Sequence, residues 1–267
     1  MPITCPIEIR NLTQAEFDAR DAMVMRCAYA AQNALGRLCD ERVYENDLAR
    51  RLRAEGFKCV YTQVPVTAAH AGFVKEYRLD LVADDALYEL KTHSGFVPRH
   101  DAQALHYAML ADVNQVKLLN FRPERVRGKL VFNAFLNAKR RNVVWKLADW
   151  RSLTAECDLL KGRVQALVED WGPCLAVELY EEALVHSFGG ETKCLRRVPV
   201  VLNDVVLGSH AVLTHDDGFC FVTTAFTAGI EGQRSHLQRL LSLIQLRAIQ
   251  WINFNHTIIE MRTIQAK

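Results

Sequence analysis

No apolar run in this chain is long enough to cross a bilayer, so no membrane-spanning helix is expected. The first residues, Met1 to Arg10, lack a basic stretch followed by an apolar core, and no signal peptide is read there. Cysteines stand at 5, 27, 39, 59, 157, 174, 194 and 220, yet no two of them form C-x-x-C. That absence leaves zinc-finger and thioredoxin-type readings without support. Cys27 and Cys220 fall where a small apolar residue would serve, so reduced thiols in a cytoplasmic protein are expected. A strong charge imbalance is missing too: at a formal net charge of +2, nucleic-acid binding does not follow from charge alone.

What is present is ordinary globular composition, half apolar and 24% charged, in 267 residues that suffice for two modest domains or one large one. The basic residues are unevenly spread. Arg122, Arg125, Arg127, Lys129, Lys139, Arg140, Arg141 and Lys146 lie close together with Glu124 as the only acid among them. Such a run suits a phosphate backbone, and it equally suits a solvated linker between two halves.

Thr13 and Glu16 fit a capping box, and the apolar spacing after them predicts a helix to about Leu35. A second helix is predicted over about Asp40–Ala54, with Gly56 placed to end it. Strand-like stretches follow near Lys58–Thr67, Glu76–Ala83 and Ala86–Thr92, then a helix over His100–Leu110 and a strand over Gln115–Phe121. The later half repeats this order. Gly36 precedes Tyr44 as Gly172 precedes Tyr180; Tyr44-Glu45-x-x-Leu48 matches Tyr180-Glu181-x-x-Leu184; Val64-Pro65-Val66 matches Val198-Pro199-Val200. Asp84-Asp85 matches Asp216-Asp217, and the run ending Asn120-Phe121 matches the one ending Asn253-Phe254, all at offsets between 132 and 136 residues. Two similar domains are therefore expected: residues 1–138, a basic linker over 139–152, and a repeat over 153–267.

Chemistry concentrates in Tyr77 to Thr92. If Asp84-Asp85 is a two-residue hairpin turn, Asp80 lies opposite Glu89 on one face, with Cβ atoms about 5 Å apart. Lys91, two residues past Glu89, projects from that face as well. Two carboxylates so close repel unless a cation lies between them, and Mg²⁺ takes a few carboxylates together with water and phosphate. The bland alternative is a surface ion-pair ladder joining Asp80 to Lys91 and Glu89 to Arg78.

The wider pattern reads Gly36-x4-Glu41-x2-Tyr44-Glu45, Gln63-x-Pro65, Tyr77-Arg78-x-Asp80-Leu81, Glu89-Leu90-Lys91, His100-x2-Gln103-x3-Tyr107 and Asn120-Phe121. From about Thr13 to Val131 it resembles the GxxExxY family, a branch of the PD-(D/E)xK nuclease superfamily. One departure is Leu38, where that family has a glycine three residues before its glutamate. The resemblance implies a restriction-endonuclease-like α/β core, a mixed sheet flanked by helices. It implies Asp80 and Glu89 as metal ligands, Lys91 as the residue positioning the nucleophile, Glu41 as a further carboxylate, and Gln103 as a partner of Lys91, water or substrate. Mg²⁺, with Mn²⁺ as substitute, would be the cofactor, and nucleic acid the partner. Tyr44 and Tyr107 read as core or supporting residues, and His100 as a helix N-terminal one.

In the second half, aligning Asp216-Asp217 with Asp84-Asp85 puts Val212 at Asp80, Phe221 at Glu89 and Thr223 at Lys91, while Val177 stands at Glu41 beside Glu178. All three central residues are gone, and aliphatic or aromatic groups cannot bind Mg²⁺, so this half is expected to be an inactive copy in an internal pseudo-dimer. His210, His215, Asp216 and Asp217 follow a strand and its turn rather than a metal-ligand spacing. The expected activity is metal-dependent hydrolysis of nucleic-acid phosphodiesters. Non-catalytic nucleic-acid binding on the same fold, and action on another phosphate ester, stand as alternatives.

Overall fold

The computed structural model describes residues 2–265. Its contacts divide the chain into two compact units, Met1–Ala68 with Val74–Asn137, and Ala69–Phe73 with Ala138–Lys267. Among the described residues no helix is long and apolar enough to cross a membrane.

The first unit contains β1 (Ile3–Thr4), α1 (Gln14–Leu35), α2 (Glu41–Ala54), β2 (Val60–His70), β3 (Phe73–Ala83), β4 (Ala86–Lys91), α3 (Pro98–Leu110), β5 (Gln115–Asn120) and β6 (Arg127–Phe132). Its sheet has the order β1-β2-β3-β4-β5-β6, mixed because β4 runs parallel to β5 and antiparallel to β3. The capping box forms as its sequence dictates: Glu16 donates its backbone N–H to Thr13 Oγ1 and accepts that of Thr13. Tyr44, Leu48 and Leu52, four residues apart, give α2 a buried stripe. Tyr44 stacks on Phe121 with ring centroids 4.6 Å apart and donates to Gly36 O at 2.7 Å. Both α1 and α2 pack on β4, and α3 packs on β5 and β6. All six residues of β4 are buried, as befits a strand inside a sheet covered by helices. The strands β1 and β6 carry weak patterns and were not foreseen from the sequence.

The short helix α4 (Asn137–Arg140) comes next in the chain. The second unit then holds β7 (Val144–Lys146), α5 (Ala155–Trp171), α6 (Val177–Ser187), α7 (Glu191–Cys194), β8 (Leu195–Leu202), β9 (Val205–Asp216), β10 (Phe219–Thr224), α8 (Ile230–Ile244), β11 (Ala248–Asn255) and β12 (Ile258–Gln265). Its sheet order is β7-β12-β11-β10-β9-β8. From the paired helices onward, each unit follows the same course: helices, three strands joined by hairpins, a helix, two strands. Residues 139–152 are more than the linker expected from their charge, because β7 pairs in parallel with β12.

Tyr180 stacks on Phe254 at 4.4 Å and donates to Gly172 O at 2.5 Å, the same two contacts that Tyr44 makes with Phe121 and Gly36. Asn120 brackets the backbone of His93, accepting its N–H at 3.2 Å and donating to its carbonyl at 2.8 Å. Asn253 brackets Phe226 in the same manner, at 2.8 and 2.9 Å.

Candidate active site

The β3–β4 turn fixes the site's register. Asp84 and Asp85 both have positive φ, 44° and 72°, as a two-residue turn matched to strand twist requires. Side-chain bonds hold these residues there without glycine. Asp84 Oδ1 accepts the N–H groups of Lys58 and Cys59 at 3.1 and 2.7 Å, and Asp85 Oδ1 accepts that of Arg10 at 3.2 Å. The pairs Ala83–Ala86, Val82–Leu87 and Leu81–Tyr88 follow, so the next step brings Asp80 against Glu89.

Asp80, Glu89 and Lys91 are 8%, 2% and 6% exposed, so they form a buried cluster and not a surface ladder. Arg78 pairs with Glu76 at 2.5 Å instead of Glu89. Lys91 Nζ donates to Glu89 Oε1 at 2.6 Å, while Glu89 Oε2 is buried with no hydrogen-bond partner. Burial, and then the charge of Asp80, push the Glu89 carboxyl up to about 8. Burial works to lower Lys91, but Glu89, Glu41 and Asp80 outweigh it and hold the ammonium above its ordinary value.

Glu41, the first residue of α2, is half-buried. Burial raises its carboxyl, and the charges it feels are Lys91, Asp80 and Glu45, which places it in this cluster. Gln103 donates to Tyr107 Oη at 3.2 Å rather than to Lys91. Tyr107 is raised by burial and feels the charges of Glu89 and Asp80, so Gln103 reaches the cluster's edge through it. His100 Nδ1 accepts the Val97 N–H at 3.3 Å, a helix N-terminal bond.

Two participants were not singled out from the sequence. Glu45 is 1% exposed and carries Gln63 Nε2 on Oε2 at 2.6 Å, and the same nitrogen donates to Asp80 Oδ1 at 3.1 Å. The signal was only their place in the quoted pattern: a glutamate in the apolar stripe of α2 and a glutamine in a strand.

Whether these residues suit a divalent cation can be read from their donor chemistry. Among the described residues no three His, Cys, Asp or Glu side chains form a ready cage. Two opposed carboxylates, one with an unsatisfied buried oxygen, nevertheless match a hard ion that takes few protein ligands and fills its remaining positions with water and phosphate. The residues fit such an ion better than they fit a softer one, since the two opposed groups are carboxylates and the nearby His100 ring is engaged at the start of α3.

The basic run divides. Arg122 donates from Nε to the carbonyl of Thr92 at 3.2 Å, beside Lys91, and Arg125 and Arg127 are exposed. Lys139 is exposed, but Arg140 is 2% exposed and lies against Gly172, where an added Cβ would meet its Cγ at 3.1 Å. Arg141 caps α5, donating to the carbonyls of Glu169 and Asp170 at 2.7 and 3.3 Å. Burial removes Arg140 from any phosphate-facing surface, contrary to the reading from charge, whereas Arg141 is exposed and also caps α5.

In the second unit the hairpin turn is Asp217-Gly218, one residue later than expected, because a bulge at His215 adds a residue to β9. Thr224 pairs with Asn253 as Lys91 pairs with Asn120. The corresponding residues are therefore Val212 for Asp80, Val222 for Glu89 and Thr224 for Lys91, correcting Phe221 and Thr223.

Residues 18–130 match the family model described as the PD-(D/E)XK nuclease superfamily, a stretch that runs from α1 to β6 and contains the whole cluster. Proteins of that superfamily are typically nucleases and generally use divalent metal ions. No curated protein and no solved structure matches the chain.

Proposed function

We propose that the first unit is a divalent-metal-dependent nuclease of the GxxExxY branch, hydrolysing nucleic-acid phosphodiesters at Asp80, Glu89 and Lys91. The observation that carries this reading is Asp80 set against Glu89 by the hairpin register, with Glu89 Oε2 buried and unsatisfied.

Asp80 and Glu89 would hold Mg²⁺, or Mn²⁺ in its place. The ion supplies charge neutralisation at the phosphate and a more acidic bound water. Lys91, paired with Glu89 Oε1, would present its ammonium where negative charge grows on the phosphoryl oxygen, or would orient the attacking water. Glu41 adds a carboxylate to the ligand set or to its bound waters. Gln103 steadies Tyr107 at the rim. Arg122, beside Thr92, with Arg125, Arg127 and Lys139, is proposed to meet the phosphate backbone.

The second unit, in this proposal, is a degenerate copy without chemistry, and the pair is an internal pseudo-dimer with a division near residues 138–152. The shared order of elements and the paired Tyr and Asn contacts support this. Val212 and Val222 offer no ligands for a hard cation, and the Thr224 hydroxyl is engaged by Asn253 and Trp251. The free cysteines support a reducing, cytoplasmic setting.

Incubating the purified full chain with mixed DNA and RNA in Mg²⁺ or Mn²⁺ tests the reading. Products that vanish on chelation are expected. Binding without cutting, unaffected by Asp80→Ala, would favour a non-catalytic nucleic-acid-binding protein.

A further inference from the structure

We propose that Gln63 is a positioning residue for the metal site: its amide, set between Glu45 and Asp80, holds the Asp80 carboxylate toward Glu89 and keeps Glu45 out of the ligand set. This rests on the reading of Asp80 and Glu89 as metal ligands.

Three observations converge on this residue, two in the first unit and one in the second. The first is covalent geometry. Gln63 lies within the eleven-residue strand β2 yet has φ 52°, a left-handed conformation that residues with long side chains rarely adopt. A strand keeps such a residue when its surroundings over-determine it, and such sites cluster where function needs a side chain aimed off the regular pleat.

The second is the bond pattern. A primary amide nitrogen carries two hydrogens, and Gln63 Nε2 places one on Glu45 Oε2 at 2.6 Å and one on Asp80 Oδ1 at 3.1 Å. Asp80 Oδ2 accepts the Leu90 N–H at 2.9 Å, so each Asp80 oxygen is tied to a different strand. That leaves the carboxylate one orientation, with its remaining lone pairs free for a cation. Glu45 is held away in turn, since Arg42 donates to its Oε1 at 2.7 Å and the Gln63 amide stands between its Oε2 and Asp80. Without the amide, two buried carboxylates would face each other with only repulsion between them.

The third is the second unit. Glu181 occupies the place of Glu45, but the residue before the matching Val198-Pro199-Val200 is Arg197, which has no positive φ and donates to Ser209 Oγ at 3.0 Å. Where Asp80 is replaced by Val212, the strained amide is gone too.

Gln63→Gly is the clean variant, because glycine accepts the backbone conformation while removing the amide. Mn²⁺ affinity of the full chain, measured by titration calorimetry, should fall about 10- to 100-fold, the usual effect of losing a bond that orients a ligand. The melting temperature without metal should fall, because Glu45 and Asp80 each lose a donor, so the affinity is measured at a temperature where circular dichroism shows the variant folded. Gln63→Asn, one methylene too short to bridge both carboxylates, should weaken Mn²⁺ in the same direction and serves if the glycine variant does not fold. Mn²⁺ affinity within twofold of wild type in a folded Gln63 variant would overturn this proposal alone. A wild-type chain that binds no Mn²⁺ would overturn the site reading, and this proposal with it.

Discussion

Asp80 Oδ2 accepts the backbone N–H of Leu90 at 2.9 Å, so the carboxylate on β3 is fastened to the residue between Glu89 and Lys91 on β4. One bond thus serves strand pairing and ligand orientation together, and the two roles separate by substitution. Asp80→Ala leaves the Leu90 N–H and one Gln63 hydrogen without their acceptor. It should destabilise the chain by about 1–3 kcal/mol and abolish metal binding. Asp80→Asn keeps one acceptor and removes the repulsion toward Glu89. It should melt no lower than wild type without metal, yet still lose Mn²⁺ affinity. Thermal melts with and without Mn²⁺ check both; equal loss of stability in the two variants would contradict the dual role.

Glu89 predicts a pH signature. Its carboxyl is raised by burial, and next by the Asp80 charge, from 4.5 to about 8. The folded chain therefore holds a proton that the unfolded chain releases. The stabilisation this gives is fully present below about 4.5 and is lost as pH rises through about 8. Without metal, the melting temperature of wild type relative to Glu89→Gln should fall between these values. Mg²⁺ competes with that proton, so its stabilising effect should grow across the same window. A wild-type-minus-Gln difference that is flat with pH would contradict the assignment.

Asn120 and Asn253 make the same bracket in the two units, and their alanine variants separate folding from chemistry. Each leaves a backbone N–H and a carbonyl without partners, so each should cost at least about 2 kcal/mol. Asn120→Ala, beside Lys91, should also slow cleavage, whereas Asn253→Ala should not under conditions where it remains folded. Denaturant melts and a cleavage assay on the same preparations decide; a cleavage defect in Asn253→Ala would assign the second unit a part in the chemistry.

How far the sequence alone reached depends on where the signal lies. Alternating apolar residues on either side of Asp84-Asp85 were enough to set Asp80 against Glu89, since a two-residue turn leaves one register. The capping box and the stripe of α2 were equally legible. Gln63 and Glu45 were not: a left-handed strand residue shows no local sequence mark unless it is glycine or asparagine, and a buried glutamate looks like an exposed one. The bulge at His215 displaced the reading of β10 by one residue, because pattern matching assumes equal strand lengths. Charge density says nothing about burial, and so it does not separate the buried Arg140 from the exposed Arg141 beside it.

Lys91 is the residue on which the catalytic role of this cluster depends most directly. Cleavage of nucleic acid by wild type and Lys91→Ala should be compared at one Mg²⁺ concentration, with circular dichroism showing both folded. The expected result is a loss of at least about 100-fold in turnover, as for other groups that stabilise developing charge, with Mn²⁺ affinity retained. Cleavage by Lys91→Ala within a few-fold of wild type would contradict the assignment of this cluster as the catalytic centre.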